Sequence, residues 1–349
     1  MTANFLRFEG QRFLAVSHRS LATANLCASA IELQHLLEKG RVDTGSSCQE
    51  MLMRSDISFK TTDGLTLKGW LYLPTGAGGQ HPAIVMAHGF TAVKEQYLDR
   101  YAEVFAQSGF AVLVYDNRNF GASEGLPRQE ADPQLQVRDY RDAITYVSSL
   151  DNIDASRIGV WGSSYSGGHV LQVAAFDRRV KCVSSQVPAI SGSADVRMAV
   201  RPDLLPGLIE AFEADRAARY AGEEPLLMEV VAEDPKADCA LPGQDSYDFF
   251  TQSGDTVAPA WRNAVTLKSI ELLNEYEPGY AIDRISPTPL QIIVALKDTV
   301  TVPDAALKAY ETALQPKHLV LLNCGHFDPY LSEFQASSSA AVEWFKRHL

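Results

Sequence analysis

Beyond position 55 the chain alternates short apolar runs with amphipathic stretches. "DISFKTTDGLTLKGWLYLP" reads as two strands joined at Asp63-Gly64, a tight-turn pair. "PAIVMAHGF" is a buried run that leaves a sheet at His88-Gly89. Glu95 to Ser108 is amphipathic, and Gly109 stops it. "FAVLVYD" (Phe110–Asp116), "RIGVWG" (Arg157–Gly162) and "VKCVSSQVP" (Val180–Pro188) are further strands. Helical stretches at Arg138–Leu150 and Tyr165–Phe176 separate them. Alternation of this kind predicts a mostly parallel sheet with helices on both faces.

The rhythm breaks over residues 191–285, which carry charges, prolines and helical stretches but no clear buried strand. It resumes with the strand in "PLQIIVALKD" (Pro289–Asp298), a helix over Asp304–Leu314 and a strand over His318–Asn323. A final helix over Ser338–Leu349 sets Ala341, Trp344, Phe345 and His348 on one stripe. The organisation expected is an N-terminal arm or helical extension (1–54), a core (55–190 and 286–349) and a helical lid inserted at 191–285. An insertion there covers the site at the carboxyl ends of the strands.

Composition narrows the functions. With 46% hydrophobic and 21% charged residues the chain is ordinary globular material. Its 31 basic against 43 acidic residues give a net charge of −12, which argues against nucleic acid or an anionic membrane as partner. No apolar run approaches the ~20 residues that span a bilayer. Five cysteines at wide spacings form no ligand pattern, so no metal, no cofactor and no disulfide framework is expected. Cys182 and Cys324 read as buried thiols of a reducing compartment, and a cytoplasmic location is expected. Arg7, Arg12 and Arg19 against Glu9 leave an organellar transit segment as the alternative.

The chemistry sits where strands end. A serine hydroxyl needs a base to take its proton, the base needs an acid to orient it, and the oxyanion needs waiting donors. "GVWGSSYSGG" follows a strand and opens a helix, the sharp turn that exposes a nucleophile. Such a serine needs small residues two before and two after it. Ser164 has Gly162 and Ser166. Ser166, with Ser164 and Gly168, is the second choice. Asp298 follows the run Leu290–Leu296 and is the acid expected, with Asp304 a weaker candidate after Pro303. His326, after Gly325 in "VLLNCGHFD", is the base expected. The order Ser164, Asp298, His326 is that of the α/β-hydrolase fold. The oxyanion donors expected are the backbone N–H groups of Tyr165 and Phe90. His88 reads as structural, and Asp116 and Arg118 as braces of the loop "YDNRNFGASEG". Among the lid aromatics Phe212, Tyr220, Tyr247, Phe249, Phe250 and Trp261, the candidate substrate contacts are Trp261, Tyr247 and Phe250.

With these residues placed, "FKTTDGLTLKGWLY", "HGFTAVKE", "YDNRNFGASEGLPRQE", "WGSSYSGGHVL" and "GHFDPY" resemble a family of α/β hydrolases related to the fungal polyketide transferase of fumagillin biosynthesis. Bacterial relatives of that family are called hydrolases or dienelactone-hydrolase-like proteins. The resemblance covers residues 55–349. The turn Gly162, Ser164, Tyr165, Gly167 is also similar to that of the cocaine-esterase and X-prolyl-peptidase group. Enzymes of that group carry a β-domain after the histidine that has no counterpart here, so peptidase activity is not expected. The resemblance implies an eight-stranded-type sheet. It also implies hydrolysis of an ester or thioester of a hydrophobic acyl group, polyketide-derived among the options, or transfer of that group to an alcohol. The partner implied is a small-molecule or carrier-bound acyl substrate. The sequence leaves open a homodimer, and a catalytically silent binding protein is the reading of a different class.

Overall fold

The computed structural model describes residues 53–74, 79–234 and 236–349. The expected N-terminal arm, with Cys27, Cys48 and the transit-like arginines, lies outside the described residues except where the first strand begins. Strands β1 (Met53–Lys60) and β2 (Thr66–Leu73) pair antiparallel from Lys60↔Thr66 outward. The Asp63-Gly64 turn closes them, with Gly64 at φ 95°, a conformation glycine adopts without strain.

Then follow β3 (His81–Ala87), α1 (Leu98–Gln107), β4 (Ala111–Tyr115), α2 (Pro133–Ser148), β5 (Ile153–Ser163), α3 (Tyr165–Phe176) and β6 (Val180–Gln186). The chain next makes α4 (Gly192–Ala199), α5 (Leu205–Tyr220), β7 (Leu227–Met228), α6 (Gln244–Thr256), β8 (Val265–Thr266) and α7 (Leu267–Asn274). It returns through β9 (Leu290–Ala295), α8 (Pro303–Thr312), β10 (Lys317–Leu322) and α9 (Phe334–His348). Among the described residues the main sheet has eight strands in the order β1-β2-β4-β3-β5-β6-β9-β10. Only β2 runs against the others. This is the α/β-hydrolase fold.

Side chains alternate across the sheet, so β3 and β4 feed two cores. Ile84, Met86, Val112 and Val114 meet α1 and α9 on one face, through Phe105 and Phe345. Val85, Leu113 and Val160 meet α2, α3 and α8 on the other, through Tyr140, Val173 and Ala306. The stripe expected on the last helix is buried at Ala341, Trp344 and Phe345, and Trp344 Nε1 donates to Val183 O at 3.1 Å. His348 is only partly covered. Between 191 and 285 the chain is mainly helical. Its apolar residues Phe212, Phe249, Phe250 and Ile270 join the core on the α1/α9 face. β7 and β8 are a two-residue pair that no hydrophobic run announces.

Helix starts differ most from expectation. α2 begins at Pro133, five residues before Arg138, because Asp132 caps it by accepting from the N–H groups of Gln134 and Leu135. A carboxylate cap followed by proline is a standard start and contributes about 1 kcal/mol.

One buried group gives the fold a pH dependence. His169 on α3 is fully buried between Gln136 Oε1 and Tyr276 OH, each at 2.9 Å. Burial lowers its pKa to about 3 from the ordinary 6.5. The unfolded chain therefore binds a proton that the folded chain refuses, and stability falls as pH drops below 6.5. Between pH 6.5 and 5 this costs about 2 kcal/mol. Urea unfolding of wild type and His169→Gln at both pH values measures it. The variant is expected to lose less stability over that interval, and equal losses would contradict the assignment.

Candidate active site

The carboxyl ends of β5, β6, β9 and β10 lie side by side, so residues just beyond them share one rim. Ser164 follows β5, Asp298 follows β9 and His326 follows β10. The structure brings the three together. His326 Nε2 lies 3.0 Å from Ser164 Oγ, and His326 Nδ1 lies 2.7 Å from Asp298 Oδ2. Asp298 is held from its other side as well. Its Oδ1 accepts from the N–H groups of Val300 and Thr301, both at 2.8 Å, and Oδ2 accepts from the Thr301 hydroxyl at 2.9 Å. Burial pushes the Asp298 carboxyl up. The charge and hydrogen bond of His326 and the two N–H groups outweigh burial and hold it below the ordinary carboxylate range.

Ser164 sits at φ 61°, ψ −123°, a backbone conformation that costs an L-residue of order 1–3 kcal/mol. Its surroundings fix it there. Its N–H donates to Gln186 O at 2.9 Å, and its carbonyl accepts from Ala189 N at 3.0 Å and Gly168 N at 3.2 Å. The turn is so tight that a Cβ on Gly162 would lie 2.2 Å from Ser166 O. Ser166, the second choice for nucleophile, is fully buried, and its Oγ lies 2.5 Å from Tyr140 OH, away from His326. The Tyr140 hydroxyl also accepts from Ala87 N at 2.8 Å, at the end of β3, and reaches Trp161 O at 3.2 Å on β5.

The loop after β3 passes against the nucleophile. A methyl on Gly89 would sit 3.1 Å from Ser164 Cβ. Phe90 follows, and its ring packs edge-on against Tyr165 at 5.2 Å. Both residues line the cavity at Ser164. The "YDNRNFGASEG" loop braces this segment. Asp116 accepts from Lys94 N at 2.9 Å and Lys94 Nζ at 2.7 Å, and Asn117 N donates to His88 Nε2 at 3.0 Å. Arg118 pairs with Asp139 and Asp63 on the far side and does not line the cavity. Asp304 is exposed in the first turn of α8.

The cavity is bounded by Ser164, His326 and a mostly apolar wall. The lid aromatics divide. Phe250 lines it, and so does Phe249, stacked on Phe327 at 4.4 Å. Tyr247 and Trp261, both candidates from the sequence, do not line it. Trp261 stacks behind Phe250 at 5.4 Å and covers Gly254, and Tyr247 packs half-buried against the core. Tyr220 is 96% exposed. Sequence reasoning missed Gln96, Leu241, Leu273, Thr301, Tyr330 and above all Asp195, which line the same space. Asp195 is 6% exposed. Burial raises its carboxyl to about 7, against the Val302 N–H that it accepts at 2.9 Å. No run or spacing announces these positions, because they come from loops and from helices brought to the rim by packing.

Known proteins carry the same arrangement of chain. The profile of the family described as X-Pro dipeptidyl-peptidase (S15 family) matches residues 63–328. A thiohydrolase of Aspergillus aculeatus, aneE, is 38% identical over 76% of this chain and 83% of its own length. A polyketide transferase of Penicillium crustosum, claH, is 31% identical over 84% of this chain and 97% of its own. The crystal structure of the α/β hydrolase GrgF from a Penicillium species superimposes with a TM-score of 0.74 at 28% identity, covering 85% of this chain and 99% of that one.

Proposed function

Because the chain belongs to the S15 family of α/β hydrolases, a group that includes acyl hydrolases and acyltransferases, we propose that it cleaves an ester or thioester of a hydrophobic acyl group through an acyl-Ser164 intermediate. The observation that carries this reading is the relay of Ser164, His326 and Asp298 at 3.0 and 2.7 Å, opening on a mostly apolar cavity.

On this reading the steps are as follows. His326 Nε2 takes the proton as Ser164 Oγ attacks the acyl carbon. Asp298 accepts the Nδ1–H bond and stabilises the imidazolium. The backbone N–H groups of Tyr165 and Phe90 receive the oxyanion. Collapse expels a thiolate or alkoxide, which takes the proton from His326. Water or an alcohol then enters and His326 removes its proton; as the acyl–oxygen bond to Ser164 breaks, His326 returns that proton to Ser164 Oγ. The names of the relatives, thiohydrolase and polyketide transferase, favour a thioester of polyketide origin as donor.

Transfer to an alcohol is the second reading. It is favoured by the transferase relatives and by a wall where water finds few hydrogen-bond partners. One experiment addresses both. Intact-mass spectrometry follows the acyl-enzyme formed from p-nitrophenyl esters and acyl thioesters, with a chase of water or alcohols. A fluorophosphonate is expected to label Ser164, and labelling on Ser166 would overturn the assignment. Ester product in the chase would establish transfer.

A further inference from the structure

Asp195 stands in the first turn of α4 on the wall that Ser164 and His326 share, and the triad chemistry gives it no task. Its Oδ1 is occupied by the Val302 N–H, whereas Oδ2 is buried without a hydrogen-bond partner. Leaving such an atom unmatched is costly, because burial has stripped its water and nothing replaces it. Among the other polar side chains of the wall, the Tyr165 hydroxyl is also buried without a partner, whereas Gln96, Thr301 and His88 are engaged. Gln96 accepts from Val93 N and donates to Ser253 Oγ. The Thr301 hydroxyl donates to Asp298, and both nitrogens of His88 are held by Gly89 and Asn117. In a wall otherwise built from groups such as Leu98, Leu241 and Phe249, Asp195 holds an idle polar atom.

We propose that Asp195 recognises a hydroxyl group of the substrate, carried by the acyl chain or by the acceptor alcohol, and so sets specificity for hydroxylated acyl groups or for alcohol over water. The proposal rests on the acyl-Ser164 reading. A hydroxyl suits the position because it both donates and accepts. With the carboxyl raised to about 7 by burial, a hydroxyl satisfies Oδ2 whether Asp195 is ionised or protonated, whereas an ammonium group demands the carboxylate.

The test compares wild type, Asp195→Leu, Asp195→Ala and Asp195→Asn. In one arm, hydrolysis of N-acetylcysteamine octanoyl thioester is measured against its monohydroxyoctanoyl isomers. In the other, the octanoyl group is partitioned between water and hexanol. The wild type is expected to favour the best hydroxy isomer by about 10- to 100-fold in kcat/KM, or to show a comparable bias toward hexanol. Leu or Ala brings that ratio to about one, and Asn, which still hydrogen-bonds, restores part of it. The arm that moves identifies which reactant carries the hydroxyl. Ratios that stay at the wild-type value in whichever of the Leu and Ala variants folds overturn the inference. That is the result expected if Asp195 only props the 298–302 loop, since a prop slows all substrates alike. A preference for aminoacyl over hydroxyacyl thioesters also overturns it. Wild type that takes no fluorophosphonate on Ser164 would instead strike the acyl-enzyme reading itself.

Discussion

Ser164→Ala is expected to lower kcat on an activated ester by about four to six orders of magnitude, with the fold retained. The size follows from the triad acting as a unit. Without Oγ, His326 Nε2 faces nothing to deprotonate but water, and what survives is the oxyanion site and binding. Retention of fold follows because the bonds that fix this turn are backbone bonds, from Ser164 N to Gln186 O and from Ala189 N to Ser164 O. Alanine and serine bear the strain of φ 61° alike. The measurement is steady-state turnover of a p-nitrophenyl ester beside thermal unfolding. A fall of less than about tenfold would remove Ser164 from the chemistry.

The second large effect belongs to Asp298→Asn, for which a loss of about 10³- to 10⁴-fold in kcat is expected with little change in KM. The direction is fixed by the other bonds of the carboxyl. Oδ1 accepts two backbone N–H groups and must remain an oxygen, so the new amide nitrogen replaces Oδ2 and points its hydrogens at His326 Nδ1. The imidazole must then accept at Nδ1 and carry its proton on Nε2. That nitrogen lies 3.0 Å from Ser164 Oγ and can no longer act as a base. Fluorophosphonate labelling should slow in parallel with turnover. If labelling and turnover both persist within tenfold of wild type, the orienting role of Asp298 is wrong.

Legibility in the sequence tracked how local the cause was. The three triad positions could be read because each follows an apolar run that a parallel sheet requires, with Gly162 and Gly325 marking the sharp turns. Ser166, the small residue two after the nucleophile, could be read from the turn, but its hydrogen bond to Tyr140 could not. The start of α2 was also written locally, in Asp132-Pro133, but a search for an apolar face passes over a cap. The cavity wall was not legible. Phe250 lines it while Trp261 stacks behind, and nothing in their one-dimensional context separates them. Asp195 was invisible for the same reason, since its burial comes from α4 meeting the loop after β9.

The hydroxyl of Tyr140 touches the end of β3, the end of β5 and the first turn of α3 at once. The loop that carries Gly89 and Phe90 and the turn that carries Ser164 are thereby riveted to a single post. Neither can drift relative to the other without breaking a buried bond. A change in the helical cover over the cavity therefore leaves that corner's geometry in place.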